Sequence, residues 1–153
     1  QYSLAYARVN GFAERTKLML VDTNILIDVL NNEPDWADWS ILQLQEQSKV
    51  HELTINPIIY AELSLAFNQI HELDHHLKIM KLNMIQMPKL ALFLASRAFQ
   101  VYRQRGGLKL NVLSDFFIGA HATANQIPIL TRDTHRFKTY FPTVTLVAPN
   151  AMH

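Results

Sequence analysis

The sequence contains no cysteine, and it has only four glycines and six prolines among its 153 residues. The absence of cysteine excludes disulfide bonds and thiolate metal sites, and it is compatible with a reducing compartment. The scarcity of glycine and proline, together with 49% hydrophobic residues, excludes a collagen-like or disordered chain. The composition therefore predicts a compact globular protein, and the length fits one domain.

Long apolar runs are also missing. The longest runs, at residues 18–21 and 25–30, are separated by polar residues and fall short of the roughly 20 residues that a membrane span needs. Residues 1–17 mix charged side chains into a mild helical pattern and show no signal-peptide pattern. We therefore expect a cytoplasmic protein with no membrane partner. Residues 1–17 are expected to be an extension or a remnant outside the fold, and residues 18–150 a single domain.

A strong excess of charge of one sign is absent, because 14 Lys and Arg residues face 13 Asp and Glu residues, for a formal net charge of +1. A polyanion must then be bound through a local basic patch, since the global field is weak. One basic run spans residues 97–109, and a second contains Arg132, Arg136 and Lys138. Arg132 and Arg136 are the predicted contacts to a substrate phosphate.

Short apolar stretches alternate with helical patterns along the chain. We predict strands at residues 18–21, 51–55, 83–87, 127–131 and 144–147, with helices between them. One helix is predicted at residues 58–70, behind the Asn56-Pro57 cap, and the polar residues 71–76 are interpreted as a solvated connection to the next helix. The alternation favours an α/β fold with a parallel sheet and helices on both faces.

Four acids occupy positions that surface acids seldom occupy. Asp22 ends the first predicted strand, Asp133 follows the fourth, and Glu62 lies inside an apolar helix. Asp115 opens a helix that Ser114 is predicted to cap. Because the carboxyl ends of parallel strands and the helix starts that follow them share one edge of a sheet, we expect the acids to meet there.

Carboxylates a few ångströms apart raise one another's pKa, and a divalent cation removes this cost. Oxygen ligands with retained waters suit Mg²⁺ or Mn²⁺, which activate water and neutralise a phosphodiester. The four acids therefore point to metal-dependent cleavage of a nucleic acid. Each acid also has a structural interpretation, because Asp22, Asp115 and Asp133 can stabilise helix N-termini and Glu62 can face solvent. Spacing alone leaves both interpretations open.

Three segments, with Glu62 between the first two, together resemble the PIN-domain nucleases, particularly the toxin (VapC-like) members of bacterial and archaeal type II toxin–antitoxin pairs. The segments are Val21-Asp22-Thr23-Asn24-Ile25-Leu26, Leu113-Ser114-Asp115-Phe116-Phe117-Ile118-Gly119-Ala120-His121-Ala122 and Ile129-Leu130-Thr131-Arg132-Asp133-Thr134-His135-Arg136-Phe137. The resemblance implies a three-layer α/β/α sandwich with a mostly parallel sheet. It also implies a Mg²⁺- or Mn²⁺-dependent endoribonuclease that pairs with a cognate antitoxin and forms a homodimer.

The resemblance also implies roles for individual residues. The family's catalytic and metal-binding acids fall on Asp22, Glu62, Asp115 and Asp133. The hydroxyl and amide positions beside the first acid fall on Thr23 and Asn24, which are expected to position Asp22 and a water molecule. Thr131, in the Thr-Arg-Asp segment, is expected to support the site as well.

The sequence is also compatible with two other functions. The run His71-Glu72-Leu73-Asp74-His75 matches the H-E-x-x-H zinc pattern, but Lys78 and Lys81 stand at the extended-motif positions and no third ligand is evident. A zinc hydrolase using His71, Glu72 and His75 is therefore a remote alternative. The modest net charge motivates the other alternative, a non-catalytic binding or assembly module of the same fold.

Overall fold

The computed structural model describes residues 17–150, so the predicted extension lies outside the described residues apart from Lys17. Within this range five short strands alternate with seven helices. The strands are β1 (Leu18–Val21), β2 (Glu52–Ile55), β3 (Asn83–Met84), β4 (Ile129–Leu130) and β5 (Leu146–Val147). The helices are α1 (Thr23–Leu30), α2 (Ala37–Ser48), α3 (Pro57–Ser64), α4 (Ile70–Ile79), α5 (Lys89–Gln104), α6 (Leu113–Asn125) and α7 (His135–Tyr140).

The five strands form one sheet in the order β3-β2-β1-β4-β5, and every pair is parallel. Helices flank the sheet, which confirms the expected three-layer α/β/α sandwich. The central strand β1 has Met19, Leu20 and Val21 fully buried, as expected for a strand covered on both faces. Among residues 17–150, no helix combines the length and apolar character needed to cross a membrane.

The chain leaves β1 toward β2 and β3 on one side, and later forms β4 and β5 on the other side. Val21 pairs with Leu130, so β1 and β4 end side by side. Asp22 and Thr131 directly follow these paired residues, and the Asp22 amide donates to the Leu130 carbonyl at 2.9 Å. Ligands of open α/β sheets bind where the strand order changes direction in this way, which directs attention to this edge.

The helix predicted at residues 58–70 is too long, because α3 ends at Ser64. Leu65 is 91% exposed, so the apolar pattern that suggested a continuation does not pack on the core. Asn56 and Pro57 begin this helix as predicted, and the Asn56 side chain accepts a hydrogen bond from the Ile59 amide at 2.9 Å.

The interpretation of residues 71–76 as a connection is wrong, because they lie inside α4. Leu73 and Leu77, four residues apart, are buried on one side of this helix. The polar side chains are exposed on the other side, and they are His71, Glu72, Asp74, His75 and His76. The polar run is therefore the solvent face of an amphipathic helix.

The last three strands are shorter than predicted, with two residues each. β3 lies at an edge of the sheet, and both of its residues are exposed. β4 begins after Pro128, which has no amide hydrogen to donate to a neighbouring strand. Apolar composition alone therefore overestimated how far the ladder extends.

Gly119 lets α6 pack closely against the chain that follows α7. A Cβ atom added at Gly119 would overlap the ring of Phe141, which is itself 5% exposed. We expect Gly119→Ala to lower the free energy of unfolding by about 1–3 kcal/mol, because an overpacked core must shift to accept the methyl group. Urea denaturation measures the change. In a Phe141→Leu background the same substitution should cost clearly less, and an equal cost in both backgrounds would contradict this packing.

Candidate active site

A cavity of about 290 Å³ opens at the edge where β1 and β4 end. All four predicted acids line it, together with Thr23, Asn24, Arg132 and Arg136; the acids are Asp22, Glu62, Asp115 and Asp133. Thr131 joins the cavity through its hydrogen bond to Asp22. Two larger cavities among the described residues contain none of these acids. The structure thus brings together residues that are up to 111 positions apart, most of them at the ends of strands or the starts of helices, and Glu62 in the last turn of α3.

Asp22 lies at the base of the cavity and is 5% exposed. It caps α1, where Oδ1 accepts a hydrogen bond from the Thr23 amide at 2.8 Å. Its Oδ2 accepts one from the Thr131 hydroxyl at 2.8 Å and one from the Asn24 amide group at 3.4 Å. The residues expected to support Asp22 therefore contact it directly.

The pKa of Asp22 is raised to about 7, mainly by burial and additionally by the nearby carboxylates of Asp115 and Glu62. The hydrogen bonds from Thr131 and Thr23 act in the opposite direction. Desolvation and like charge outweigh these donors, so the pocket disfavours negative charge at the residue that lies deepest in it. A cation bound in the pocket would therefore stabilise the charged form of Asp22.

Glu62 projects from α3 toward two other helices. Its Oε1 accepts a hydrogen bond from the Thr23 hydroxyl at 2.6 Å, and its Oε2 accepts one from the Ser114 hydroxyl at 3.0 Å. Ser114 is therefore not the predicted helix cap, because α6 already begins at Leu113 and no side chain caps it. Sequence reasoning missed the contact because Ser114 and Glu62 are 52 residues apart.

Asp115 lies in the first turn of α6 and is paired with Arg136 of α7. Arg136 Nη1 donates to Asp115 Oδ2 at 2.9 Å. Burial nevertheless raises the pKa of Asp115, with further contributions from Glu62 and Asp133, while Arg136 counteracts the rise. One arginine therefore does not compensate fully for the crowding of carboxylates.

Asp133 lies on the rim of the cavity and is exposed. It follows β4, as predicted, and it precedes α7, which begins at His135. Its amide donates to the Thr131 hydroxyl at 3.1 Å, and its Oδ1 accepts a hydrogen bond from the His135 amide at 3.3 Å. These short-range bonds hold the turn that carries the carboxylate.

Sequence reasoning did not single out Asp28, which is 2% exposed and binds Arg132 with both carboxylate oxygens. The N–O distances are 2.6 Å from Nε and 2.9 Å from Nη2. Ser40 donates a further hydrogen bond to Asp28 at 3.1 Å, and the guanidinium lies 5.1 Å from the ring of Trp36. An aspartate within the apolar stretch of residues 25–30 was the available signal, because a buried acid requires a partner.

His121, which belongs to a segment of the family resemblance, lies outside the cavity. It is fully buried, and its Nδ1 lies 3.2 Å from the amide nitrogen of Asn56, the residue that caps α3. Burial lowers the pKa of His121, which favours the neutral ring. His121 thus supports the start of the helix that carries Glu62.

The chemistry of the cavity fits a hard divalent cation, since its donors are carboxylate, hydroxyl and amide oxygens. In the present arrangement, no three His, Asp or Glu side chains of residues 17–150 are close enough to hold one ion together. Asp115 is engaged by Arg136, and Glu62 by two hydroxyls. Metal binding by Asp22, Glu62, Asp115 and Asp133 would therefore require side-chain rearrangement. The same finding leaves His71 and His75, exposed on α4, without a third ligand for zinc.

The raised pKa of Asp22 predicts that the stability of the fold depends on pH. Its pKa in the folded protein, about 7, lies above the ordinary 3.8, so the folded state binds the proton more tightly than the unfolded state. The stabilisation that this group provides is complete below pH 3.8 and is lost as the pH rises through about 7. In EDTA at about pH 8, the free energy of unfolding of Asp22→Asn should therefore be about 1–3 kcal/mol higher than that of the unsubstituted protein. At about pH 4.5 the two proteins should differ little. Urea denaturation at both pH values measures the difference, and a pH-independent difference would contradict it.

Breaking the Asp28–Arg132 ion pair should cause a large loss of stability. Arg132→Gln should lower the free energy of unfolding by about 2–4 kcal/mol, because a buried carboxylate is left without its countercharge. The double variant Asp28→Asn, Arg132→Gln should recover much of this loss in the same urea titration. Lys78→Gln on the exposed side of α4 is the control, and we expect it to change stability by less than about 0.5 kcal/mol.

A family model described as PIN domain matches residues 19–141, which is more than half of the chain. No curated protein matches the chain. Solved structures with a similar fold include VapBC2 from Rickettsia felis bound to a promoter DNA fragment, with 21% identity, coverage of 86% of this chain and 98% of that chain, and a TM-score of 0.66.

Two further structures are similar to the chain. VapBC-1 from nontypeable Haemophilus influenzae is 16% identical, with coverage of 86% of this chain and 97% of that chain and a TM-score of 0.65. A toxin–antitoxin complex from Klebsiella pneumoniae is 23% identical, with coverage of 83% and 95% and a TM-score of 0.56. At these identities the structures establish the fold alone. The match of the family model, which spans the strands and helices that build the cavity, shows that this chain belongs to the PIN domain family.

Proposed function

We propose that this protein is a Mg²⁺- or Mn²⁺-dependent endoribonuclease, which hydrolyses RNA phosphodiesters and acts as the toxin of a toxin–antitoxin pair. One observation carries the proposal: four carboxylates and two arginines line a single cavity at the carboxyl ends of β1 and β4 in a PIN domain. Anionic ligands for a cation beside guanidinium groups for a phosphate form a site suited to a phosphodiester.

The acids are proposed to hold the metal, and these are Asp22, Glu62, Asp115 and Asp133. When bound, Mg²⁺ or Mn²⁺ supplies positive charge toward the phosphodiester and lowers the pKa of water. Burial keeps the pKa of Asp22 near 7, so this carboxyl is partly protonated at neutral pH, and a cation in the pocket favours its charged form. We propose Asp22 as the central ligand because it is the most buried of the four acids.

Neighbouring polar residues are proposed to orient this carboxylate. Thr131 and Asn24 donate hydrogen bonds to the same oxygen of Asp22, and the Thr23 amide donates to the other. Three donors restrict the rotation of the carboxylate. Such preorganised support positions a ligand before substrate arrives.

The two arginines are proposed to contact the substrate backbone. Arg132 is fixed by Asp28 and contributes positive charge from a constant position at the cavity wall. Arg136 is held by one hydrogen bond to Asp115. Phosphate contacts of this kind bind RNA without regard to sequence.

A protein partner and a second copy of the chain complete the proposal. The similar structures from Rickettsia felis and Klebsiella pneumoniae are those of VapBC2 and of a toxin–antitoxin complex, which supports a cognate antitoxin for this chain. Exposed apolar side chains provide surface for such contacts, and they include Leu65, Ile70, Leu90 and Phe93. We propose a homodimer that acts in the cytoplasm, where RNA is available.

Asp115→Asn tests the proposed chemistry. We expect RNA cleavage in Mg²⁺ to fall at least about 100-fold, because an amide does not replace the negative charge of the carboxylate. A gel assay of a labelled RNA measures the rate, and circular dichroism checks the fold. The control is Asp38→Asn, which removes an exposed acid from the first turn of α2 and should cleave as fast as the unsubstituted protein. An unchanged rate in Asp115→Asn would exclude the proposed site.

Expression in bacterial cells tests the toxin role. The unsubstituted chain should arrest growth, and Asp115→Asn should not, because arrest depends on RNA cleavage. Colony counts after induction measure the effect. Cleavage in vitro combined with normal growth would support the nuclease and contradict the toxin role.

A further inference from the structure

The two arginines of the cavity differ in how firmly they are held. Arg132 forms two hydrogen bonds to Asp28, whose side chain is 2% exposed and also bound by Ser40. The Arg132 guanidinium lies 5.1 Å from the ring of Trp36. Releasing it would leave a buried carboxylate without a countercharge, so Arg132 is a fixed part of the wall.

Arg136 is held more weakly. It donates one hydrogen bond to Asp115, through Nη1, and its guanidinium lies 5.9 Å from the ring of Tyr102. The side chain of Asp115 is 30% exposed, so water reaches the pair. A single hydrogen bond between partly exposed groups breaks at a smaller free-energy cost than a bidentate bond to a buried carboxylate.

The carboxylate that Arg136 contacts is one of the four that crowd the cavity. Their mutual repulsion requires positive charge nearby, and in this arrangement Arg136 provides it. In the same arrangement, no three acids of the described residues converge on one point. Arg136 and a divalent cation therefore serve the same electrostatic purpose at Asp115, and each weakens the binding of the other.

We propose that Arg136 is an exchangeable internal counter-ion, which pairs with Asp115 in the metal-free protein and leaves it when a divalent cation binds. The proposal rests on the proposed metal dependence. The released guanidinium stays on the cavity wall, where it is free to contact an RNA phosphate. Metal binding and phosphate binding then favour the same position of Arg136, so the two are thermodynamically coupled.

The affinity for Mn²⁺ in the absence of RNA tests this exchange. Isothermal titration calorimetry at about pH 8 should give a Kd for Arg136→Gln about 3- to 10-fold lower than that of the unsubstituted protein. Removing the arginine eliminates the competitor for Asp115. Lys138→Gln is the matched control, because it removes one positive charge from an exposed position of the same helix. Its Kd should change less than about 2-fold.

Several outcomes would overturn the inference. These are an equal or higher Kd for Arg136→Gln, an equal decrease for Lys138→Gln, and no Mn²⁺ binding by either protein. If circular dichroism shows that Arg136→Gln is unfolded, Arg136→Lys decides instead. Lysine keeps the charge but loses the planar donor, so the Kd of Arg136→Lys should be lower than that of the unsubstituted protein, and an unchanged Kd would overturn the inference.

The failure of this inference is distinguishable from failure of the proposed function. Tighter Mn²⁺ binding by Arg136→Gln, together with no RNA cleavage by the unsubstituted protein in Mg²⁺, would support the exchange and contradict the nuclease. Loss of cleavage in Asp115→Asn with an unchanged Kd in Arg136→Gln would contradict the exchange alone.

Discussion

The candidate site depends on one constraint at the end of the central strand β1: the Asp22 carboxylate is buried, and burial disfavours its negative charge. Asp22 follows three fully buried residues, and it is itself 5% exposed with two other carboxylates close enough to raise its pKa. Hydrogen bonds from Thr131 and Thr23 offset only part of this cost. A protein that optimised stability alone would not retain this arrangement, so the cost is understandable when a cation or a phosphate-bearing substrate enters the cavity.

The parallel sheet explains how the acids meet. Each strand must end at the same edge, and each following helix begins there, so acids at strand ends and helix starts converge without local sequence proximity. Asp22 follows β1, and Asp115 lies in the first turn of α6. Small residues in α6 contribute to this placement, because Gly119 lets the helix approach the ring of Phe141.

Much of this fold was predictable from the sequence, and the limits have physical reasons. The run Leu18–Val21 predicted the buried central strand, since four consecutive apolar residues suit a strand covered on both faces. The end of α3 was not predictable from periodicity, because Leu65 continues the apolar pattern but remains exposed. The polar residues of α4 likewise led to its interpretation as a connection, because its only buried residues are Leu73 and Leu77.

The acids of the candidate site were predictable from the sequence, but the ion pairs around it were not. The Arg132–Asp28 pair joins residues 104 positions apart, and it depends on which side of α1 faces the turn after β4. Arg136 was identified from its charge as a phosphate contact, whereas in the structure it binds a carboxylate of the protein itself. Composition identifies charged groups, and only the packing of distant segments decides which charges become partners.

The carboxylate of Glu62 also joins three helices. It belongs to α3 and accepts hydrogen bonds from Thr23 on α1 and from Ser114 on α6, residues 39 and 52 positions away. This cross-link sets the spacing between the helices around the cavity, so replacing Glu62 alters their docking as well as the local charge. Asp133 on the exposed rim makes no such link, since its hydrogen bonds stay within its own turn. A comparison of substitutions at these two positions therefore separates the contribution of the scaffold from that of the charge.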